Sequence, residues 1–293
     1  QVAARLKALT EMGHITDKVE LIILGGTWSD YPLAYQIWFV RELFRALNDG
    51  SKAQNNIAKR RTQYEHAGIS SDVATLKKQV APLQERIANQ ELSYNQAFDL
   101  HYAISEAWGT VATWQSATWE ELETEHRTNE TAHHRVVGLV IETRPERITP
   151  HHAYTLRRLG CTKVQMGIQS LDEHIRKQNN RPTTNAQIQS AFETLRLFGF
   201  KTHIHAMVNL LGATPESDKQ DYLHLVEGKP FQPDEIKLYP CVLVDGTGLC
   251  AHYQDHTWKP YSEEELIEVL VADTCATPAF TRISRMIRDI SAP

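Results

Sequence analysis

Five short apolar runs constrain this chain more than any other feature: VELIIL (19–24), VVGLVIE (136–142), KVQMGIQ (163–169), THIHAMVNL (202–210) and EIKLYP (235–240). Each has the length of a strand buried on both faces, the kind found in parallel sheets. Helical patterns fall between most of them: Tyr35 to Leu47, Pro150 to Leu159 stopping at Gly160, and Asn185 to Phe198 stopping at Gly199. Strands alternating with helices imply parallel βαβ units. Two architectures remain, an open doubly wound sheet and a closed or partial barrel. Polar groups recur at the carboxyl ends of the runs: Thr27, Glu142 with Arg144, Gln169 with Ser170, Asn209 and Tyr239. That recurrence suits a barrel whose active site draws on many strand ends.

Residues 51–131 break the alternation, being far too long for one crossover helix. Leu76, Val80, Leu83 and Ile87 fall at helical steps there, with Pro82 expected to kink or break the pattern. The expected organisation is a barrel core of 1–50 and 132–293 interrupted by a helical insertion of 51–131. In the insertion, the KRR triplet at 59–61 is either a solvated face or a phosphate contact.

The chain has 293 residues, 41% of them hydrophobic, and a net charge of -5, so any polyanion partner needs a local basic patch rather than a global pull. No run of about 18 apolar residues and no charged-then-apolar leader is present, so no membrane span or secretion signal is expected and the chain reads as cytoplasmic. Cys161, Cys241, Cys250 and Cys275 lie far apart with no C-x-x-C pair, which speaks against a zinc site or disulfide framework built from them.

Several residues could carry chemistry. LGGT (24–27) lets a ligand approach the backbone at two glycines, or is simply a tight turn. Glu142 and Arg144, two apart on an extended strand, share a face and either pair with each other or present an acceptor and a cationic fork to a zwitterionic or nucleoside ligand. Gln169 and Ser170 add neutral donors and acceptors at the next strand end. His203 and His205 also share a strand face, where they line a pocket, are satisfied in packing, or form a two-histidine metal site that no carboxylate or cysteine at ligand spacing completes. Lys237 faces away from Ile236 and Leu238, and a lysine within an apolar strand is costly unless its ammonium is paired or reaches a cavity. Arg282, Arg285 and Arg288 recur every third residue, as one helix stripe or as a strand and turn, where they either hold phosphates or pair with the EEE run at 263–265.

Six segments taken in order, GHITDKVELIILGGTWSDYP, VVGLVIETRP, LRRLGCTKVQMGIQSLDE, FGFKTHIHAMVNLLGATPESD, FQPDEIKLYPCVLVDGTGL and TRISRMIRDIS, resemble the radical S-adenosylmethionine domain of the catalytic subunit of Elongator, in a bacterial or archaeal-type version. The resemblance spans residues 10 to 291 apart from the insertion. It implies a partial (β/α) TIM-like barrel, a [4Fe-4S] cluster, S-adenosylmethionine and acetyl-CoA, and carboxymethylation at carbon 5 of the wobble uridine in the tRNA anticodon region. It further implies that Gly25, Gly26 and Thr27 meet the methionine amino group, and that Glu142, Arg144, Gln169 and Ser170 hold the ribose and carboxylate of S-adenosylmethionine. By the same resemblance Lys18 binds acetyl-CoA and Lys237 faces the substrate cavity as the catalytic residue, while Arg282, Arg285 and Arg288 are candidates for tRNA contact. Members of that family carry three cluster cysteines on a loop ahead of the first segment, and an acetyltransferase domain after the last. Neither occurs in these residues, so the expectation is a radical domain fragment, inactive alone, or alternatively a tRNA-binding platform without radical chemistry.

Overall fold

A computed structural model describes residues 1–25, 27–244 and 247–287. It divides into two compact units, one of residues 1–19 and 31–137 and the other of residues 20–30 and 138–293.

The α-helices among the described residues of the first unit are α1 (Val2–Glu11), α2 (Leu33–Asp49), α3 (Ala53–His66), α4 (Val73–Ala88), α5 (Tyr94–Phe98), α6 (Glu106–Trp114) and α7 (Trp119–Asn129). Helix α7 starts in a capping box, Thr118 and Glu121 each bonding the other's backbone N–H. Its partner is α2: Asn48 Nδ2 donates to Glu125 O and Oε2 at 3.0 and 2.8 Å, and the Phe44 and His126 rings meet edge-on at 4.4 Å. Arg60, of the basic triplet, pairs with Glu42 at 2.6 Å. Helix α4 runs on through Pro82, against the expected break. None of its side chains is buried, so the backbone acceptor that proline leaves unbonded can be met by water.

The sheet has six strands in the order β1 (Lys18–Ile23), β2 (Arg135–Thr143), β3 (Lys163–Gln169), β4 (Lys201–Val208), β5 (Glu235–Pro240) and β6 (Arg282–Arg285). Pairing from β2 through β6 is parallel throughout. Strictly sequential order has no reversal point, which rules out the doubly wound alternative and leaves a partial barrel. All five apolar runs are strands. The sixth strand takes up the start of the arginine-spaced segment, so over 282–285 the helix-stripe reading is overturned: Glu235 and Ile236 of β5 offer a parallel edge, and Arg282 and Ile283 fill it in register.

Helices α8 (Pro150–Arg158), α9 (Glu173–Gln178), α10 (Asn185–Leu197), α11 (Pro215–Glu227), α12 (Leu249–Gln254) and α13 (Glu263–Ala276) complete the second unit. Gly160 and Gly199, at φ +90 and +73, end α8 and α10 in the left-handed conformation that a side chain disfavours. The strands are two-faced. Ile141, Met166, Ile204 and Leu238 are fully or almost fully buried with the apolar faces of α8 and α10, while Glu142, Gln165, His205 and Lys237 alternate onto the opposite, inner face. That inner face is the lumen wall.

Helices α11 and α13 enclose an acidic cluster. Asp273 is 1% exposed, its Oδ2 has no hydrogen-bond partner among the described residues, and burial first, then the charges of Asp218 and Asp221, push its carboxyl up to about 7. Between the ordinary 3.8 and about 7 the folded chain therefore keeps a proton that the unfolded chain has released. Stability from this group is present at low pH and lost as pH rises through that window. Asp273→Asn should flatten the fall of Tm between pH 5 and pH 8 and melt higher than the parent at pH 8. A pH–Tm slope identical to the parent's would remove Asp273 from the account.

Candidate active site

At the carboxyl ends of the first three strands a cleft of about 490 Å³ is lined by Gly25, Thr27, Glu142, Thr143, Arg144, Gly167, Gln169, Asn180 and Arg181. Gly25 has φ +105, and a Cβ built on it meets nothing within 4 Å, so its backbone faces open space in the cleft. Its N–H points to Glu142 Oε2 at the long distance of 3.4 Å. Thr27 accepts a bond from Arg144 Nε at 2.9 Å, and Arg144 Nη1 reaches Glu146 Oε1 at 3.2 Å. Glu146 is itself fixed by the Thr183 hydroxyl at 2.9 Å. The guanidinium is thus aimed by its neighbours on one side and open to the cleft on the other.

Gln169 ends β3 after a register shift and carries φ +72, a left-handed conformation that costs a non-glycine residue of order 1 kcal/mol or more. The bend turns its side chain to the inner face, where its Oε1 is buried without a hydrogen-bond partner among the described residues. Ser170 takes a different place. It is 3% exposed, its hydroxyl accepts from Asp172 N at 3.0 Å, and it does not line the cleft. Asn209 is likewise turned inward, bonding Tyr261 N and Lys259 O.

Behind the cleft wall, Ser29 bonds both Thr143 Oγ1 at 2.5 Å and His152 Nε2 at 3.1 Å. The sequence gives no sign of this contact, because His151 and His152 are adjacent on a helix, point in different directions, and only His152 turns to the turn after β1. Burial first, then the positive fields of His151 and Arg147, lower the affinity of His152 for a proton. A second residue missed was Arg181. It follows a helix end with no periodic signal, and only the fold carries its loop over to the cleft.

Deeper in the lumen, Lys237 Nζ donates to Gln165 Oε1 at 2.9 Å. The ammonium's hold on its proton is weakened by burial first and by Arg285, against the field of Glu142. His203 and His205 stand on the same face; burial lowers them to about 4 and about 3, so both rings are neutral near pH 7. At the amino ends of the strands Lys163 bridges Glu235 at 2.7 Å and Glu20 at 3.3 Å, closing the lumen with an ion-paired plug.

Of the residues singled out in the sequence, Gly25, Thr27, Glu142, Arg144 and Gln169 therefore share one cleft. Lys237 lies on the same inner sheet face. Lys18 opens β1 and is exposed, and Arg282 and Arg285 are exposed on β6. Gly26 and Arg288 lie outside the described residues. Among the described residues no group of three or more His, Cys, Asp or Glu is arranged to hold a metal ion. Cys161 in particular is buried and its thiol pushed up to about 12, chiefly by burial, so it is a poor ligand.

Comparison with known proteins bears on the fold's kind. Residues 110–224 match the model of the radical SAM superfamily, and residues 233–293 match the radical SAM C-terminal domain. The chain carries a radical SAM domain. The tRNA uridine(34) acetyltransferase of Dehalococcoides mccartyi is 31% identical over 292 residues, covering 100% of this chain and 49% of the relative. Elongator complex protein 3 of Homo sapiens is 27% identical over 293 residues, covering 100% of this chain and 41% of the relative. The solved structure of an archaeal Elp3 from Methanocaldococcus infernus, with an N-terminal deletion (1-46), matches with a TM-score of 0.72 at 29% identity, covering 99% of this chain and 52% of that one. This radical SAM chain thus spans about half the length or less of the curated relatives it matches.

Proposed function

We propose that this radical SAM chain binds S-adenosylmethionine in the cleft and works on the wobble uridine of tRNA, attaching a carboxymethyl unit derived from acetyl-CoA at carbon 5. The observation that carries the reading is the convergence of Gly25, Thr27, Glu142, Arg144 and Gln169 on one cleft. These residues fit the cofactor's chemistry. A carboxylate suits an ammonium or ribose hydroxyls, the guanidinia of Arg144 and Arg181 suit a carboxylate, and an unsubstituted Gly25 admits close backbone approach. When bound and reductively cleaved, S-adenosylmethionine supplies a carbon-centred radical, the chemistry needed at a vinylic C–H that no side-chain base can deprotonate. The described residues do not supply the ligands of an iron–sulfur cluster, and the roles assigned to them stop at binding and orientation.

In this reading residues 1–50 and 132–293 are the barrel core and 51–131 the insertion. Lys237 acts on the substrate within the lumen, Lys18 contacts acetyl-CoA, and Arg282 and Arg285 meet tRNA phosphates. The relatives' names support a tRNA uridine substrate and an acetyl donor. Replacing Arg282 and Arg285 together with glutamate should weaken tRNA binding and flatten its salt dependence, since each phosphate contact contributes about one unit to the slope. Parent-like affinity at two salt concentrations would take β6 out of the interface. Calorimetric titration tests the cofactor half: one S-adenosylmethionine per chain is expected, whereas tRNA binding with no cofactor binding would make the chain a binding platform.

A further inference from the structure

The inner sheet face carries more polar groups than the cleft uses. Gln165 is 1% exposed; its Oε1 is taken by Lys237, but its Nε2 has no hydrogen-bond partner among the described residues, and neither has the buried Nε2 of His205. Lys237 is held only by that neutral amide, takes part in none of the ion pairs among the described residues, and keeps two further N–H groups. All three side chains stand on the inner face: by register Gln165 lies beside Glu142 and His203, and His205 beside Gly167 and Lys237, so Lys237 crosses β4 diagonally to reach Gln165 on β3. Glu142 and Gly167 also line the cleft, which makes the two regions continuous.

Buried polar groups almost always find partners, and leaving one unpaired forfeits its hydration with nothing in return. Two unpaired nitrogens beside a half-paired ammonium, on one wall of one lumen, therefore point to a polar ligand. Its pattern can be read from the groups. Lys237 and the Gln165 amide are donors. His205 is neutral, and Glu142 Oε1 stands 4.0 Å from its Nδ1, which favours the tautomer with the proton on Nδ1 and leaves Nε2 as an acceptor. The wall thus offers donors flanking or adjoining an acceptor. Both nitrogens are shut off from bulk water, so a partner reaches them by displacing a side chain, and Lys237 is the long flexible one of the group.

We propose that Lys237, Gln165 and His205 form a base-reading subsite for the imide edge of a uracil ring, whose ring N–H donates to His205 Nε2 while a flanking carbonyl accepts from Lys237 and the Gln165 amide. This rests on the uridine reading above and assigns the residues that enforce it. Cytosine fits badly. Its amino group would set donor against the Lys237 ammonium, and its bare ring nitrogen would set acceptor against His205 Nε2. A site built on such donor–acceptor complementarity rejects the mismatched base because buried groups are left unpaired.

The test is fluorescence anisotropy of the chain with a labelled RNA hairpin bearing uridine at the first anticodon position, against the same hairpin with cytidine there. Preference for uridine by about tenfold or more is expected, which is about 1.4 kcal/mol and within what a good base pairing gives. His205→Gln presents either a donor or an acceptor, so the preference should shrink to less than about threefold, as should that of Lys237→Met. In the unmodified chain, imidazole 15N shifts should show His205 with its proton on Nδ1 and should move at Nε2 on adding the uridine hairpin but not the cytidine one. Equal binding of both hairpins, or a His205 proton on Nε2, overturns this inference and leaves the tRNA reading standing. Failure of either hairpin to bind, with S-adenosylmethionine binding intact, fails both.

Discussion

Glu142→Gln should lower affinity for S-adenosylmethionine by roughly ten- to a hundredfold, the loss expected when a charge-assisted contact of about 1.5–3 kcal/mol is removed. The substitution keeps size and shape, so the loss isolates charge. The carboxylate is free for this role because its nearest partners are weak, Gly25 N at 3.4 Å and a neutral His205 at 4.0 Å. Arg144→Ala is the complementary change. It removes the fork but also releases Thr27 and Glu146, so its effect combines lost contact with lost positioning. Calorimetry on both variants separates the roles: less than a twofold change in Glu142→Gln would show that the carboxylate does not meet the cofactor. Unchanged affinity in Arg144→Ala would mean that Arg181 alone serves the anion.

The acid and base at the tip of β2 show what a sequence can disclose about such a site. Their spacing of two on a strand fixes a shared face, and the proline that follows fixes the end of the strand, so their presence at a rim is dictated locally. The same reasoning finds Gln169, whose strand ends in the same layer. It misplaces Ser170 because a strand end is also a turn start: the first residue past the left-handed bend at Gln169 is free to point down, and Ser170 uses that freedom to cap the Asp172 turn. Arg181 and the Ser29–His152 pair were illegible for the opposite reason. Their partners lie more than 100 residues away or across an irregular loop, where no periodicity connects them. The inner face was legible only as alternation. That His203, His205 and Lys237 turn away from the core follows from the period of two, but which of them meet, and that Lys237 reaches over β4 to Gln165, is set by strand register.

The same loop that carries Arg181 depends on Arg176, and Arg176→Met should be strongly destabilising. Arg176 is 1% exposed, a buried guanidinium that spends its donors on Ser170 O, Thr183 O at 2.8 Å and Asn185 Oδ1 at 2.8 Å, with Glu173 at 3.7 Å. It ties the turn after β3 to the segment before α10, and Asn180 and Arg181 lie between those anchors. Removing it strands the buried carbonyl of Ser170 and the half-buried carbonyl of Thr183, and changes of this kind cost about 3–5 kcal/mol. For a unit of this size that corresponds to a fall in Tm of roughly 10 °C. Arg176→Lys should not rescue it, because one ammonium cannot span three acceptors arranged for a planar fork. Cofactor affinity should fall with stability even where the variant remains folded, since both Gln169 and Arg181 lose their anchor. Thermal melting and calorimetry at a temperature well below the melt check the two effects separately. A fall of less than 3 °C would show that the three acceptors find water instead, and a cleft that still binds normally in the folded variant would show that Asn180 and Arg181 are held by something other than this guanidinium.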